Sequence, residues 1–175
     1  PPGDPAVINQ VAELKGGHFQ AVFMPVGGVQ TEMISSALSY NRMMPNKIKR
    51  IGTGLWDDPR IASQPNIQGG WFAAPSPQSR HNFESKYFNT YGEKPPRLAT
   101  LAYDATALTA ALARNGFEQN GAPAFNNMAI TNKNGFAGID GVFRFGADGI
   151  IQRKLAVLEL RNGRIIEIDP AAGKF

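Results

Sequence analysis

At 175 residues with 42% hydrophobic content, the chain is long enough to fold around an ordinary globular core, and its composition carries no bias toward disorder or collagen-like repetition. Its 18 basic and 14 acidic residues give a formal charge of +4, but the basic ones are scattered apart from Lys47, Lys49 and Arg50, which argues against a nucleic-acid-binding surface. Zero cysteines exclude disulfides, thiol catalysis and thiolate zinc sites, and fit oxidising and reducing compartments alike.

Pro1, Pro2, Gly3, Asp4 and Pro5 read as a linker, since no basic stretch and apolar segment lead to a cleavage-like site. Asp4 is also a candidate N-cap with Pro5 at the first helical position, and Val7, Ile8, Val11 and Leu14 recur at helical spacing until Gly16 and Gly17. Residues 19–24 form a short apolar run that predicts a buried strand ending at Pro25, Gly27 and Gly28. A helix is expected over about 30–44, with Met33, Ile34, Ala37, Leu38 and residues 40–44 on its buried side, and a second strand over 49–53. Lys47, Lys49 and Arg50 at that strand's start read as a solvated entrance, a phosphate or lipid contact being the weaker alternative.

The third apolar run, 67–74, is interrupted by Gly69 and Gly70, and residues 73–77 read as a crossover between lobes. Phe83, Tyr87 and Tyr91 lie four apart on a helix running from Pro77 to Gly92, a packing row. A long helix is expected from about Arg97 to Arg114, with Leu98, Leu101, Ala102, Ala105, Leu108 and Leu112 as its apolar stripe and Asn115-Gly116 as its stop. Residues 123–130 suggest a short helix. Alternating residues around turns at 147–149 and 161–163 then predict antiparallel structure, with 155–160 and 164–168 as a hairpin. The longest apolar runs, such as 21–24 and 155–160, are far shorter than the roughly 18 residues a membrane span needs. Alternating helices and strands followed by a hairpin define an α/β chain with a parallel sheet flanked by helices.

Chemistry-bearing motifs are scarce. His18 and His81, the only histidines, have no paired carboxylates nearby in sequence, and no nucleophile elbow, His-Glu-x-x-His helix or phosphate loop occurs. The chain reads as a non-enzyme without cofactor or metal; Asp57 and Asp58 before Pro59 form a turn or N-cap and lack a spaced third ligand. Binding is better supported, because open α/β sheets hold ligands outside the carboxyl ends of their strands. Gly27 and Gly28 after the first strand allow close backbone approach, and Trp56 with Asp57 after the second offers a ring and a charge; a tight turn and a core-capping ring are the alternatives for the same residues.

Several segments in order carry a family resemblance: Ala-Val-Phe-Met-Pro-Val-Gly-Gly at 21–28, Ile-Gly-Thr-Gly-Leu-Trp-Asp-Asp-Pro at 51–59, Gly-Gly-Trp-Phe-Ala-Ala-Pro at 69–75, the helix end at 83–92, Leu-Ala-Tyr-Asp-Ala at 101–105, and 135–145 with Asp148-Gly149. Together they resemble the second half of type I periplasmic binding proteins of the leucine/isoleucine/valine class. The stretches at 54–59 and 69–75, with Ile-Asp-Pro-Ala-Ala at 168–172, look closest to penicillin-binding protein activators. The resemblance implies an incomplete two-lobe fragment: 1–72 and 154–175 in the C-terminal lobe and 73–153 in the N-terminal lobe, with exposed apolar surface or pairing with another chain.

It further implies a periplasmic protein that binds an amino acid or similar solute for an ABC transporter permease. Gly27, Gly28, Trp56 and Asp57 would form one cleft wall, and Tyr103 and Asp104 would be candidates for the other. The alternative is a ligand-free lipoprotein activator contacting a peptidoglycan synthase. Either way no nucleic acid is implied, and a membrane is met only through a lipid anchor outside this chain. Gly54 departs from the pattern, standing where the amino-acid binders offer an acid to the ligand's ammonium.

Overall fold

The computed structural model describes residues 4–96 and 98–175, and these divide into two units. Unit 1 takes the described residues up to Ala74 together with Val157–Asp169; unit 2 takes Pro75–Ala156 and Pro170–Phe175. Along the chain run α1 (Pro5–Ala12), β1 (Ala21–Phe23), α2 (Gly28–Tyr40), β2 (Lys49–Gly52), α3 (Pro59–Ala62), β3 (Trp71–Ala74), α4 (Pro77–Tyr91), α5 (Ala99–Asn120) and α6 (Asn127–Ile130). There follow β4 (Phe136–Gly138), β5 (Gly141–Phe145), β6 (Ile151–Arg153), β7 (Ala156–Arg161) and β8 (Arg164–Asp169).

Unit 1 is built on a five-stranded sheet of order β1-β2-β3-β7-β8, in which β1, β2 and β3 are parallel and β7 and β8 form the expected antiparallel hairpin. The hairpin turn falls on Asn162 and Gly163, both at positive φ, a conformation that asparagine and glycine tolerate. Alternate residues enter the core: Phe72 and Ala74 on β3, Leu158 and Leu160 on β7. The intervening Lys49, Ile51, Trp71, Ala73 and Glu159 are half-buried or exposed. β1 is an edge strand, not the buried strand expected, and its Phe23 is 60% exposed.

Asp4 caps α1 by accepting from the Ala6 amide at 2.8 Å, with Pro5 in the first turn. α2 starts earlier and ends earlier than its apolar pattern suggests, and its buried positions include Thr31 and Ser35, whose hydroxyls donate to the Val26 and Glu32 carbonyls. Polar residues enter the core here because the backbone satisfies them. Arg50 corrects the reading of a solvated basic cluster. It is 1% exposed, its guanidinium donates to the Ile48 and Met43 carbonyls, and burial pushes its pKa down to about 10.

In unit 2, α4 ends at Gly92 in the left-handed conformation, as its glycine stop predicts. The expected start of α5 at Arg97 lies outside the described residues, and its end falls at Gly121, not at Asn115-Gly116. Gly116 is helical and buried because the chain folds back against it: a Cβ there would stand 2.2 Å from the Ala124 amide and 2.4 Å from the Ala122 carbonyl. Much of α5's apolar stripe is open, with Leu98 69% and Leu101 44% exposed. β4, β5 and β6 form a separate antiparallel sheet. Pro170–Phe175 belong to unit 2, and the Phe175 ring lies beneath the Arg144 guanidinium and the Lys154 ammonium, at 4.2 and 4.8 Å.

Gly116→Ala separates two effects. Helix propensity alone favours alanine by about 1 kcal/mol. The contact with a fixed backbone should outweigh that gain and leave the variant less stable by about 1–3 kcal/mol in urea unfolding, whereas a stabilised variant would mean the 122–124 segment yields.

Candidate functional site

The carboxyl ends of β1 and β2 place two loops side by side. After β1, Gly27 is the N-cap of α2 and supplies no side-chain cap, so amide donors of the first turn keep the partial positive charge of a helix start. Gly28 has φ +54, a conformation costly for side-chain-bearing residues, and a Cβ built there meets nothing within 4 Å. Backbone at this point is open to close approach. Gly27 instead faces Leu55: a Cβ added to Gly27 would stand 3.0 Å from the Leu55 Cβ, so the two loops touch.

The second loop is a 3-10 turn, Gly54–Trp56, capped by Thr53 through the Leu55 amide at 3.4 Å. Of the two readings of Trp56, a ring offered to a solute and a ring capping the core, the structure shows the second: Trp56 is wholly buried, and its indole N–H donates to the Val26 carbonyl at 3.0 Å. Small residues make room for it: a Cβ at Gly52 would fall 2.2 Å from the ring and one at Gly70 2.9 Å away. The Val26 carbonyl also accepts from the Thr31 hydroxyl at 2.8 Å, so one acceptor ties β2's loop and α2 to β1's loop. Asp57 is half-buried where the turn closes. Asp58 caps α3 and pairs with Arg60 at 2.8 Å, whose hydrogen bonds hold its carboxyl below the usual carboxylate range.

Sequence reasoning missed the recess beside Gly28, about 270 Å³, whose wall carries Glu32, Arg60 and Gln64. The signal was available: Glu32 lies four residues, about one helical turn, after Gly28, and Arg60 follows the Asp58-Pro59 helix start. Glu32 and Arg60 present opposite charges to the same small space.

Tyr103 and Asp104 are neighbours on α5 with different surroundings. Tyr103 is 54% exposed and its ring meets Phe83 edge-on at 5.5 Å. Asp104 is buried; it accepts from the Ile139 amide at 2.7 Å and pairs with Arg153 at 3.2 Å. That carboxylate is committed to joining α5 to the β4-β5 turn and to β6. The row Phe83, Tyr87 and Tyr91 is a ladder of ring contacts that opens outward, from a buried Phe83 to Tyr91 at 66% exposure. His18 and His81 are both exposed. Among the described residues no group of three or more His, Cys, Asp or Glu could hold a metal ion, and no helix is long and apolar enough to cross a membrane.

A parallel sheet with loops converging at its carboxyl edge, closed by a late antiparallel hairpin, with a second α/β unit between the two contributions to the sheet, is the type I periplasmic-binding-protein fold. Solved structures agree. A protein of Rhodospirillum rubrum described as a branched-chain amino acid ABC transporter superposes with a TM-score of 0.79 at 21% identity, over 96% of this chain and 50% of that one. The leucine-binding protein LivK of Thermotoga maritima gives 0.59 at 19%, over 94% and 48%. The C-domain of LpoA from Haemophilus influenzae, a regulator of PBP1A, gives 0.58 at 15%, over 94% and 49%. The chain thus spans about half the length of these structures. No family model matches the sequence, and no curated protein does.

Three substitutions test the local architecture. Trp56→Phe removes the indole donor from a buried carbonyl and should cost about 1–3 kcal/mol in chemical denaturation; an unchanged midpoint would show that the Val26 anchor carries no weight. Asp104→Ala strands Arg153 and should cost about 3 kcal/mol, with Asp104→Asn in between because it keeps an acceptor for the Ile139 amide.

Proposed function

We propose that this chain is the solute-contacting half of a periplasmic binding protein of the leucine-binding type, which takes up an amino acid or similar small solute for an ABC transporter. The observation that carries the reading is the convergence of the uncapped start of α2, at Gly27 and Gly28, with the Thr53–Asp57 loop at the carboxyl edge of one parallel sheet. Amide donors there suit a carboxylate. The adjacent recess, with Glu32 and Arg60 on its wall, offers partners of both signs to a zwitterion. Gly27, Gly28 and Asp57 supply backbone and charge at this edge, while Trp56 acts from beneath by fixing the loops. The resemblance of the fold to a branched-chain amino acid transporter protein and to a leucine-binding protein supports the same class. A periplasmic location, with membrane attachment through a lipid anchor elsewhere, goes with this reading.

A second reading is favoured by Gly54, which puts no acid where the amino-acid binders carry one, and by the burial of Trp56. On that reading the fold is a ligand-free activator that contacts a peptidoglycan synthase, in line with its likeness to the LpoA C-domain. Catalysis has no part in either.

A thermal-shift screen of this chain, and of any longer product of its gene, against the twenty amino acids and peptidoglycan fragments decides between them. A ligand at 100 times its Kd should stabilise the protein by about 2.7 kcal/mol, and Glu32→Gln should reduce the shift given by an amino acid. A flat screen together with capture of a peptidoglycan synthase would establish the activator instead.

A further inference from the structure

The opposite end of the unit 1 sheet carries a different chemistry. At the amino ends of β2 and β3, where Gly69 and Gly70 exchange hydrogen bonds with Leu160 at the end of β7, lies a recess of about 670 Å³. Three cations reach it from separate elements: Lys47 ahead of β2, Lys49 at its first residue and Arg161 at the end of β7. Among the described residues no carboxylate lines it.

The donors around the recess are only partly used. Lys49 gives one ammonium hydrogen to the Gly69 carbonyl at 2.9 Å and sits over the Trp71 ring at 4.1 Å, so its position is fixed while two donors remain. Arg161, which lines the recess, is held by Glu159 through Nε and Nη2, at 2.9 and 3.1 Å, bonds that do not use its Nη1 group. Glu159 is itself held by the Trp71 indole at 3.1 Å. Lys47 is exposed, and the amides of Gln20, Asn46 and Asn162 add further donors. Gln68 is locked, donating to the Ala62 and Gln64 carbonyls and accepting from the Gly163 amide, and thereby holds the hairpin turn in place. The walls therefore offer an excess of N–H donors and net positive charge on a braced frame, next to the apolar Met44 and Pro45.

We infer that this recess binds a phosphate ester, with Lys47, Lys49 and Arg161 around the phosphate and Met44 and Pro45 against its glycerol or alkyl substituent. A tetrahedral anion with several acceptor oxygens matches cations converging from separate directions, where a carboxylate would be served by a single fork. The chemistry is shared by a phosphatidylglycerol headgroup and by a soluble glycerol phosphate. The site lies at the far end of the strands from the solute loops and stands whether or not the proposed solute does.

The test is a titration of the folded chain with glycerol 3-phosphate, followed by amide chemical shifts, alongside co-sedimentation with phosphatidylglycerol and phosphatidylcholine vesicles. Shifts at Lys47, Lys49 and Asn162 on adding glycerol 3-phosphate identify a soluble ligand, and sedimentation with phosphatidylglycerol alone identifies a membrane source. In either arm Lys47→Glu and Arg161→Gln should each weaken binding by about ten-fold or more, with circular dichroism unchanged, while Lys94→Glu in unit 2 has no effect. Equal weakening by Lys94→Glu would reduce the effect to diffuse charge and overturn the proposal, as would the absence of binding in both arms.

Discussion

The burial of one indole sets the geometry of unit 1. Trp56 can sit beneath the sheet's carboxyl edge only because Gly52 and Gly70 leave its space empty, and its N–H reaches the Val26 carbonyl only because the loop after β2 turns back at once. A buried ring with a satisfied donor contributes area burial while its hydrogen bond offsets the desolvation of the N–H. The same carbonyl takes the Thr31 hydroxyl, so the first turn of α2 is held at a fixed distance from β2's loop. Gly27 then lies against Leu55 while Gly28 faces outward. The uncapped helix start and the positive-φ glycine of the proposed solute edge follow a loop that this ring anchors, although the ring itself touches no solvent.

Unit 2 rests on a different device. Asp104, on a helix whose outer face is largely open, anchors the β4-β5 turn and Arg153, and Gly138 must be glycine because a Cβ would press on the carboxylate at 2.4 Å. Arg153 in turn lies over the Phe143 ring at 4.7 Å. A buried ion pair is a weak source of net stability but is costly to break, so its effect is to make one arrangement of helix and sheet much better than its neighbours. Meanwhile Leu98, Leu101, Tyr103 and Phe117 remain exposed. Apolar surface of this kind accords with a chain that spans about half of the solved structures it matches.

The fold was readable because its signals are local. Asp4-Pro5, the glycine after Tyr91 and the Asn162-Gly163 turn each act through a cap or a φ value that neighbouring residues determine. Errors arose where tertiary approach overrode local meaning. Gly116 looks like a helix stop and is a contact point with residues 122–124; Arg50 looks like a surface cation and is a buried donor to two carbonyls. For the site, only Gly28 of the glycine pair takes a positive φ, while Gly27 is extended and lies against Leu55, and the burial of Trp56 depends on Gly52 and Gly70, one on β2 and one just before β3. Glu32 one helical turn after Gly28 and Arg60 at the start of the next helix are each legible locally, but their sharing one recess is not, because it is assembled from two helices that no sequence spacing links.

Unit 1 is discontinuous, and β7 is the strand that flanks β3. During synthesis β1, β2 and β3 leave the ribosome before any of 75–156, so the inner edge of β3 waits on the order of ten seconds for its neighbour at typical elongation rates. In that interval an unpaired strand bearing Trp71 and Phe72 is presented to other nascent chains. The long sequence separation between β3 and β7 also raises contact order, which slows folding in the free chain.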